Sequence, residues 1–83
     1  MARKKTAIEL HVVKKAKELR KAQGMSQADL AFKLDVSYGF IGHVESKTHS
    51  AKYNLNHIDK LSFIFGCSPQ EFLPKKSLTK KID

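Results

Sequence analysis

The chain has 83 residues, which is enough for one domain with a modest core but too few for a deep catalytic cavity. Sixteen Lys and Arg against eight Asp and Glu give a formal net charge of +8. This charge favours nucleic acid or an anionic membrane surface as a partner. The alternative is that the lysines only keep a small protein soluble. A single cysteine excludes an internal disulfide, and no apolar run has the length of a signal peptide core or a membrane span, so we expect a cytoplasmic protein.

The first predicted element is a helix over residues 6–23, preceded by a basic arm at residues 1–5. Thr6 followed by Glu9 is a capping-box pattern, and Gly24 is typical of the residue after a helix end. Apolar residues recur between them at helical spacing. The arm contains nothing to bury, so we expect it to be flexible and to lie on phosphate.

Two short helices joined by a tight turn are predicted between Ser26 and Ser46. Ser26 is an N-cap with Asp29 at the third helical position, and Ser37 caps the second helix. Asp35 falls where the chain must turn, and Asp tolerates the left-handed conformation. This combination indicates a helix-turn-helix. The buried positions of this segment are predicted to be Leu30, Ala31, Leu34, Val36, Ile41 and Val44.

Two more helices are predicted in the C-terminal part of the chain. Asn54 and Gly66 bracket a fourth helix, while Ser68 and Pro74 bracket a short fifth one. Nothing in the sequence indicates a strand, so we predict an all-α, five-helix domain at residues 6–74 and a basic tail at 75–83. The rest of the expected core is Val12, Ala16, Leu19, Met25, Leu55, Ile58, Leu61, Phe65, Phe72 and Leu73.

The chain resembles the Cro/phage-repressor (Xre-like) helix-turn-helix family from about Lys14 to Leu73. The residues with the family's spacing are Gln27, Ala31, Val36, Ile41, Val44 and Glu45. The resemblance implies a compact lambda-repressor-like fold in which the Ser37–Ser46 helix enters the major groove of double-stranded DNA. It implies a sequence-specific transcriptional regulator, a repressor, which we expect to act as a homodimer.

The base-contacting residues that the resemblance implies lie in the first turn of this helix and one turn later. They are Ser37, Tyr38, Gly39, Gly42 and His43. Tyr38 offers a hydroxyl group and a ring, and His43 can donate to guanine N7 or O6. The alternative for Tyr38 and His43 is a solvated helix face.

Phosphate contacts are expected from short polar or basic side chains near helix starts and in loops. Gln27 has the family's residue for this role, and the loop after the second helix adds Thr48, Ser50 and Lys52. Plain solvation is the alternative for the three loop residues. This loop lacks the glycine that the family has just after Glu45, so the sequence predicts either backbone strain or a different path.

Arg20 and Glu45 match two positions that form an ion pair in the family. Such a pair would lock the recognition helix to the first helix, and the alternative is two independent surface charges.

Three residues outside the motif suggest a dimer interface. Phe63 falls well outside the inward stripe of the fourth helix, and Ile64 lies near the edge of that stripe on the other side. Exposed apolar area of this kind favours a symmetric partner, so we predict a homodimer through the fourth and fifth helices that also uses residues near Pro69. The alternative is that Phe63 covers the first helix or the C-terminal tail within one subunit.

No catalytic residue, metal site or cofactor is expected, and we predict that the chain is not an enzyme. The four histidines lie in different predicted elements, and Cys67 follows a helix end at a packing position. Two alternatives to the regulator remain open. One is an antitoxin-like protein whose main partner is another protein, and the other is a helix-turn-helix used only for protein association.

Overall fold

A computed structural model describes residues 5–80, which form four α-helices and one turn of 3₁₀ helix. The helices are α1 (Ala7–Ala22), α2 (Gln27–Leu34), α3 (Tyr38–Glu45) and α4 (Leu55–Phe65), and the 3₁₀ turn is Pro69–Phe72. No strand occurs between residues 5 and 80, so the all-α prediction is confirmed. Residues 1–4 of the predicted arm and 81–83 of the predicted tail lie outside the described residues. None of the described helices is both long and apolar enough to cross a membrane.

The predicted fifth helix is wrong, because this segment closes as a single 3₁₀ turn. The amide N–H of Leu73 donates to the carbonyl of Gln70, three residues back, at 3.1 Å. Ser68 caps the turn by accepting from the amide of Gln70, and the chain is already extended at Leu73. The bonds of this segment therefore span three residues, as in a 3₁₀ helix, and not the four of an α-helix.

Local capping explains where the α-helices begin. Thr6 and Glu9 exchange both hydrogen bonds of a capping box at the start of α1, and Ser26 and Asp29 do the same at α2. The box of α4 has a histidine where an acidic residue is usual. The amide of Asn54 donates to Nδ1 of His57 at 3.0 Å, and the His57 amide donates back to Oδ1 of Asn54 at 2.8 Å.

The core lies between α1, the α2–α3 pair, α4 and the 3₁₀ turn. Its buried apolar residues are Val12, Val13, Ala16, Leu30, Ala31, Leu34, Ile41, Val44, Tyr53, Ile58, Leu61, Phe65 and Phe72. Leu19, Met25 and Val36 are partly buried against this cluster. Most of the predicted core is therefore found, with the second and third helices packed directly on each other.

Two predicted core residues are exposed. Leu55 is 80% exposed, because Tyr53, which lies just before the helix, fills the core at this end of α4. Leu73 is 41% exposed, because the 3₁₀ turn directs Phe72 inward and leaves the next side chain at the surface. The error at Leu55 arises in the first turn of α4, and the error at Leu73 comes from continuing a helical stripe past the end of the 3₁₀ turn.

Candidate nucleic-acid interface

The α2–turn–α3 unit is built by local bonds and one small residue. Asp35 ends α2 in the left-handed conformation, with φ 61°, and the amide of Val36 donates to the carbonyl of Ala31 at 3.0 Å. Ala31 of α2 is buried, and its small side chain suits the close packing of α2 on α3. Ser37 then caps α3 by accepting from the amide of Phe40 at 3.1 Å. The turn thus fixes the direction of α3 relative to α2.

The two faces of α3 differ sharply. Ile41 and Val44 are fully buried, whereas Tyr38 is 64% exposed. Five residues were predicted to contact bases. Four of them are exposed, namely Ser37, Tyr38, Gly39 and His43, and Gly42 is half-buried. Phe40 packs inward, with its ring 6.2 Å from that of Tyr53 and 5.2 Å from that of His57. The structure therefore leaves four of the predicted base-contacting residues facing solvent, while the Gln27 side chain lies close to Gly42.

Arg20 and Glu45 meet where α1 passes the last turn of α3. The guanidinium Nε and Nη2 atoms each donate to one carboxylate oxygen at 2.9 Å, and the two side chains are only 8% and 3% exposed. Nη1 of Arg20 also donates to the carbonyl of Met25 at 2.7 Å. A bidentate pair of this kind fixes orientation as well as distance. The end of α3 is thereby attached to α1.

Gln27 belongs to the same network. Its Nε2 atom donates to Oε1 of Glu45 at 3.0 Å, and its Oε1 atom lies 3.8 Å from where a Cβ at Gly42 would be. The structure thus places this predicted phosphate contact between α2 and α3, with one amide hydrogen already used within the protein.

The loop after α3 takes a path that avoids strain. Ser46 is extended, with φ −76° and ψ 132°, and between residues 5 and 80 only Asp35 among non-glycine residues has a positive φ. The missing glycine therefore reflects a different path. Ser46 and Thr48 share a hydrogen bond between their hydroxyl groups at 3.0 Å, and Thr48 and Ser50 are exposed.

Contacts from α1 and the residue before its N-cap hold this loop, and sequence reasoning did not anticipate them. The ammonium group of Lys5 donates to the carbonyls of Ser46 and His49 at 2.5 and 2.6 Å. Nζ of Lys52 lies 2.9 Å from a carboxylate oxygen of Glu9. Lys52, a predicted phosphate contact, is therefore paired within the chain. Partial burial, with the nearby Lys52 charge, lowers the pKa of Lys5 despite the opposing effect of Glu9.

His49 is a further residue that the sequence did not single out. Its ring stacks on that of His43, with centroids 4.1 Å apart and planes 7° from parallel. The signal was absent from the sequence because the stack depends on the loop path.

Tyr53 lies near the end of this loop and has its ring in the core. Its hydroxyl group is buried and has no hydrogen-bond partner among residues 5–80. Burial raises the pKa of Tyr53, and the negative charge of Glu45 adds to this effect while Arg20 opposes it.

The apolar surface patch predicted on α4 is present. Phe63 is 88% exposed, Ile64 is half-buried and Pro69 is exposed, and the three border a shallow depression that Lys33 and Asp59 also line. Residues 5–80 therefore do not cover Phe63, and the intramolecular alternative is wrong for this part of the chain. Among the same residues, no group of three His, Cys, Asp or Glu side chains is arranged to hold a metal ion.

Comparisons with known proteins agree with this geometry. The family model described as Helix-turn-helix matches residues 17–72, which is more than half of the chain. The chain is also similar to the crystal structure of the restriction-modification controller protein C.AhdI from Aeromonas hydrophila. That similarity has 29% sequence identity and a TM-score of 0.69, and it covers 82% of this chain and 100% of that chain. None of the curated proteins matches the chain.

Proposed function

Because the chain belongs to the Helix-turn-helix family and is a DNA-binding transcriptional regulator, we propose that it is a cytoplasmic, sequence-specific repressor. In this proposal α3, with its flanking residues Ser37 and Ser46, enters the major groove of duplex DNA. The observation that carries the proposal is the solvent-facing side of α3, whose opposite side is buried and tied to α1 through Glu45. A net charge of +8 supplies the general attraction to phosphate.

The base-reading roles follow from the chemistry of the exposed face. Tyr38 offers its hydroxyl group to a base or its ring to a thymine methyl, and His43 donates to guanine N7 or O6. Gly39 and Gly42 allow the backbone to approach the base edges closely, and the hydroxyl group of Ser37, which caps α3, lies at the start of the same helix. Neither aromatic side chain makes a bidentate pair with a base, so we expect moderate discrimination at each position.

The phosphate-contacting roles are divided among four residues. Thr48 and Ser50 have exposed hydroxyl groups in the loop after α3, which suits them to phosphate oxygens. Gln27 retains one amide hydrogen beyond its bond to Glu45. Lys52 must share its charge between Glu9 and the DNA, so its contribution is the smallest.

Salt dependence tests DNA binding directly. Selection from a random duplex library would first supply a bound sequence. If each subunit neutralises roughly four or five phosphates, log K of a dimer should fall by about 7–9 for each tenfold rise in salt. A flat salt response would refute the proposal.

Two alanine variants test the placement of α3. Gln27→Ala should weaken binding to all duplexes about equally, whereas His43→Ala should change which base is preferred at one position. A uniform loss of affinity in both variants would show that the wrong face had been assigned to the DNA.

We further propose that the regulator is a symmetric homodimer, with Phe63, Ile64 and Pro69 at the interface. One motif reads only a few base pairs, and two motifs related by a twofold axis gain both affinity and register on a palindromic site. The exposed ring of Phe63 beside half-buried Ile64 supplies apolar surface for a second copy.

Sedimentation at micromolar concentration tests the dimer. Phe63→Lys should convert a wild-type dimer to a monomer, because a charge would replace a buried ring. Phe32→Lys is a matched control, since Phe32 is also 88% exposed but lies on α2. A wild-type monomer, or a dimer that the Phe63 substitution leaves intact, would refute this interface.

The similarity to a restriction-modification controller protein supports a narrower candidate function. In this version the chain controls the genes of a restriction-modification system. Genes for a methyltransferase and an endonuclease beside its own would support this version. A toxin gene beside its own would instead support the antitoxin-like alternative. The comparisons favour neither that alternative nor a role in protein association alone.

A further inference from the structure

The stacked pair of His43 and His49 joins α3 to the loop that follows it. Both rings are exposed, lie 4.1 Å apart and are nearly parallel. An exposed imidazole on a helix normally samples several rotamers. A flat contact with a second ring restricts that sampling, provided that the second ring is itself held in place.

His49 is held in place by two hydrogen bonds. The amide of Ala51 donates to its Nδ1 atom at 3.0 Å, so the neutral ring carries its proton on Nε2. The ammonium group of Lys5 donates to its carbonyl at 2.6 Å. One bond fixes the ring and the other fixes the backbone.

Lys5 is in turn positioned by the start of α1. It immediately precedes Thr6, whose capping box with Glu9 orders the first turn. Glu9 also pairs with Lys52, so Lys5 and the first turn of α1 together contact the loop near its start, at Ser46, and near its end, at Lys52. The Helix-turn-helix family model matches the chain from residue 17, so the Lys5 and Glu9 side of these contacts lies before the matched region.

We infer that Lys5, Glu9 and His49 form a clamp that orients His43 for base reading. This clamp is defined by the Lys5 contacts to the loop, the Glu9–Lys52 ion pair and the His43–His49 stack. The inference rests on the proposed function, because it assigns these residues as positioning residues for a DNA-reading side chain. It also changes the role expected for Lys5, from a phosphate contact in a flexible arm to an internal donor.

The first test uses the full chain without DNA. His49→Ala should shift the NMR signals of the His43 ring and broaden its rotamer distribution, while His49→Phe, which keeps a flat ring, should preserve its rotamer distribution. Lys5→Met should speed amide exchange in residues 46–51. Lys21→Met, which removes a charge from an exposed position at the other end of α1, should leave that loop unchanged. An unchanged His43 ring in His49→Ala would overturn the inference whatever the protein binds.

The second test uses a duplex selected for binding to the wild-type protein. At the base pair identified by His43→Ala, His49→Ala should reduce discrimination at least about fivefold, and His49→Phe should retain it within about twofold. Lys5→Met should weaken binding with an unchanged salt slope. A slope reduced by about 0.9 for each lost phosphate contact would show that Lys5 contacts DNA instead. An equal loss of affinity for all duplex sequences in His49→Ala would also overturn the inference. If the wild type binds no duplex at all, the proposed function is refuted, but the result of the DNA-free test is unaffected.

Discussion

The ion pair between Arg20 and Glu45 provides the most direct test of how α3 is held. Arg20→Met keeps the aliphatic part of the side chain, and Glu45→Gln keeps its shape and its bond to Gln27. Each single variant leaves the partner's charge in a site where the two side chains are 8% and 3% exposed. Stranding a buried charge costs about 3–5 kcal/mol, whereas removing both charges avoids that penalty.

The expected energies follow from this asymmetry. We expect each single variant to lose about 3 kcal/mol of unfolding free energy, from a total of about 4–12 kcal/mol for a chain of this size. The double variant should lose no more than about 3 kcal/mol, so the coupling energy should be at least about 3 kcal/mol. Urea unfolding followed by circular dichroism measures all four proteins without DNA, provided that their m-values agree.

An exposed pair supplies the control for this cycle. Glu9 and Lys52 approach to the same 2.9 Å, but their side chains are 22% and 47% exposed. Solvent screening should keep their coupling below about 1 kcal/mol. Additive losses for Arg20 and Glu45, or a coupling no larger than that of the control pair, would refute the view that burial makes this pair a structural lock.

Three further changes have defined outcomes. Burial and the charge of Lys60 lower the pKa of His57 below 6.5, so the stability contributed by its neutral, capping form is complete above that pH and is lost as the pH falls through the folded pKa. Thermal unfolding should therefore show a larger decrease in stability between pH 7.5 and 5.5 in the wild type than in His57→Gln. Tyr53→Phe should leave stability unchanged or raise it by up to about 1 kcal/mol in urea, because it removes a buried hydroxyl group without a partner, and a loss above about 1 kcal/mol would reveal a bond to that group. Leu61→Ala should cost about 2–5 kcal/mol in the same assay, whereas Leu55→Ala should cost less than about 0.5 kcal/mol, and equal losses would contradict the exposure of Leu55.

The elements of the fold that depend on neighbouring residues were predictable from the sequence. The capping boxes at Thr6 and Ser26 set the starts of α1 and α2, and Asp35 marked the turn, because each signal acts within four residues of the chain. The same locality explains the failure at Leu55. Helical spacing alone cannot reveal that Tyr53, which lies outside the helix, fills the core at that place.

The candidate site likewise contains one part that was predictable from neighbouring residues and one part that was not. The exposed face of α3 follows from periodicity, since Ile41 and Val44 must point inward. The contacts of Lys5 and His49 follow from the path of the loop after Ser46, and that path depends on residues more than 40 positions away in sequence. No local pattern carries such information, so the role of Lys5 and Glu9 could be inferred only from their contacts in the structure.

The composition of α3 leads to one last step. A helix of eight residues is marginal by itself, and each of its two glycines lowers helix propensity by up to about 1 kcal/mol relative to alanine. Its stability must therefore come from buried Ile41 and Val44 and from the lock at Glu45. A Cβ added at Gly39 would have no atom of residues 5–80 within 4 Å, apart from the neighbouring residues and the backbone of α3 itself. Packing inside the protein therefore gives no reason for a glycine at this position. A surface that must approach the floor of a groove does give one, because the absence of a side chain lets the first turn of α3 come closer to the bases. Gly39 thus weakens the helix where the scaffold can compensate and leaves space where the proposed DNA ligand needs it.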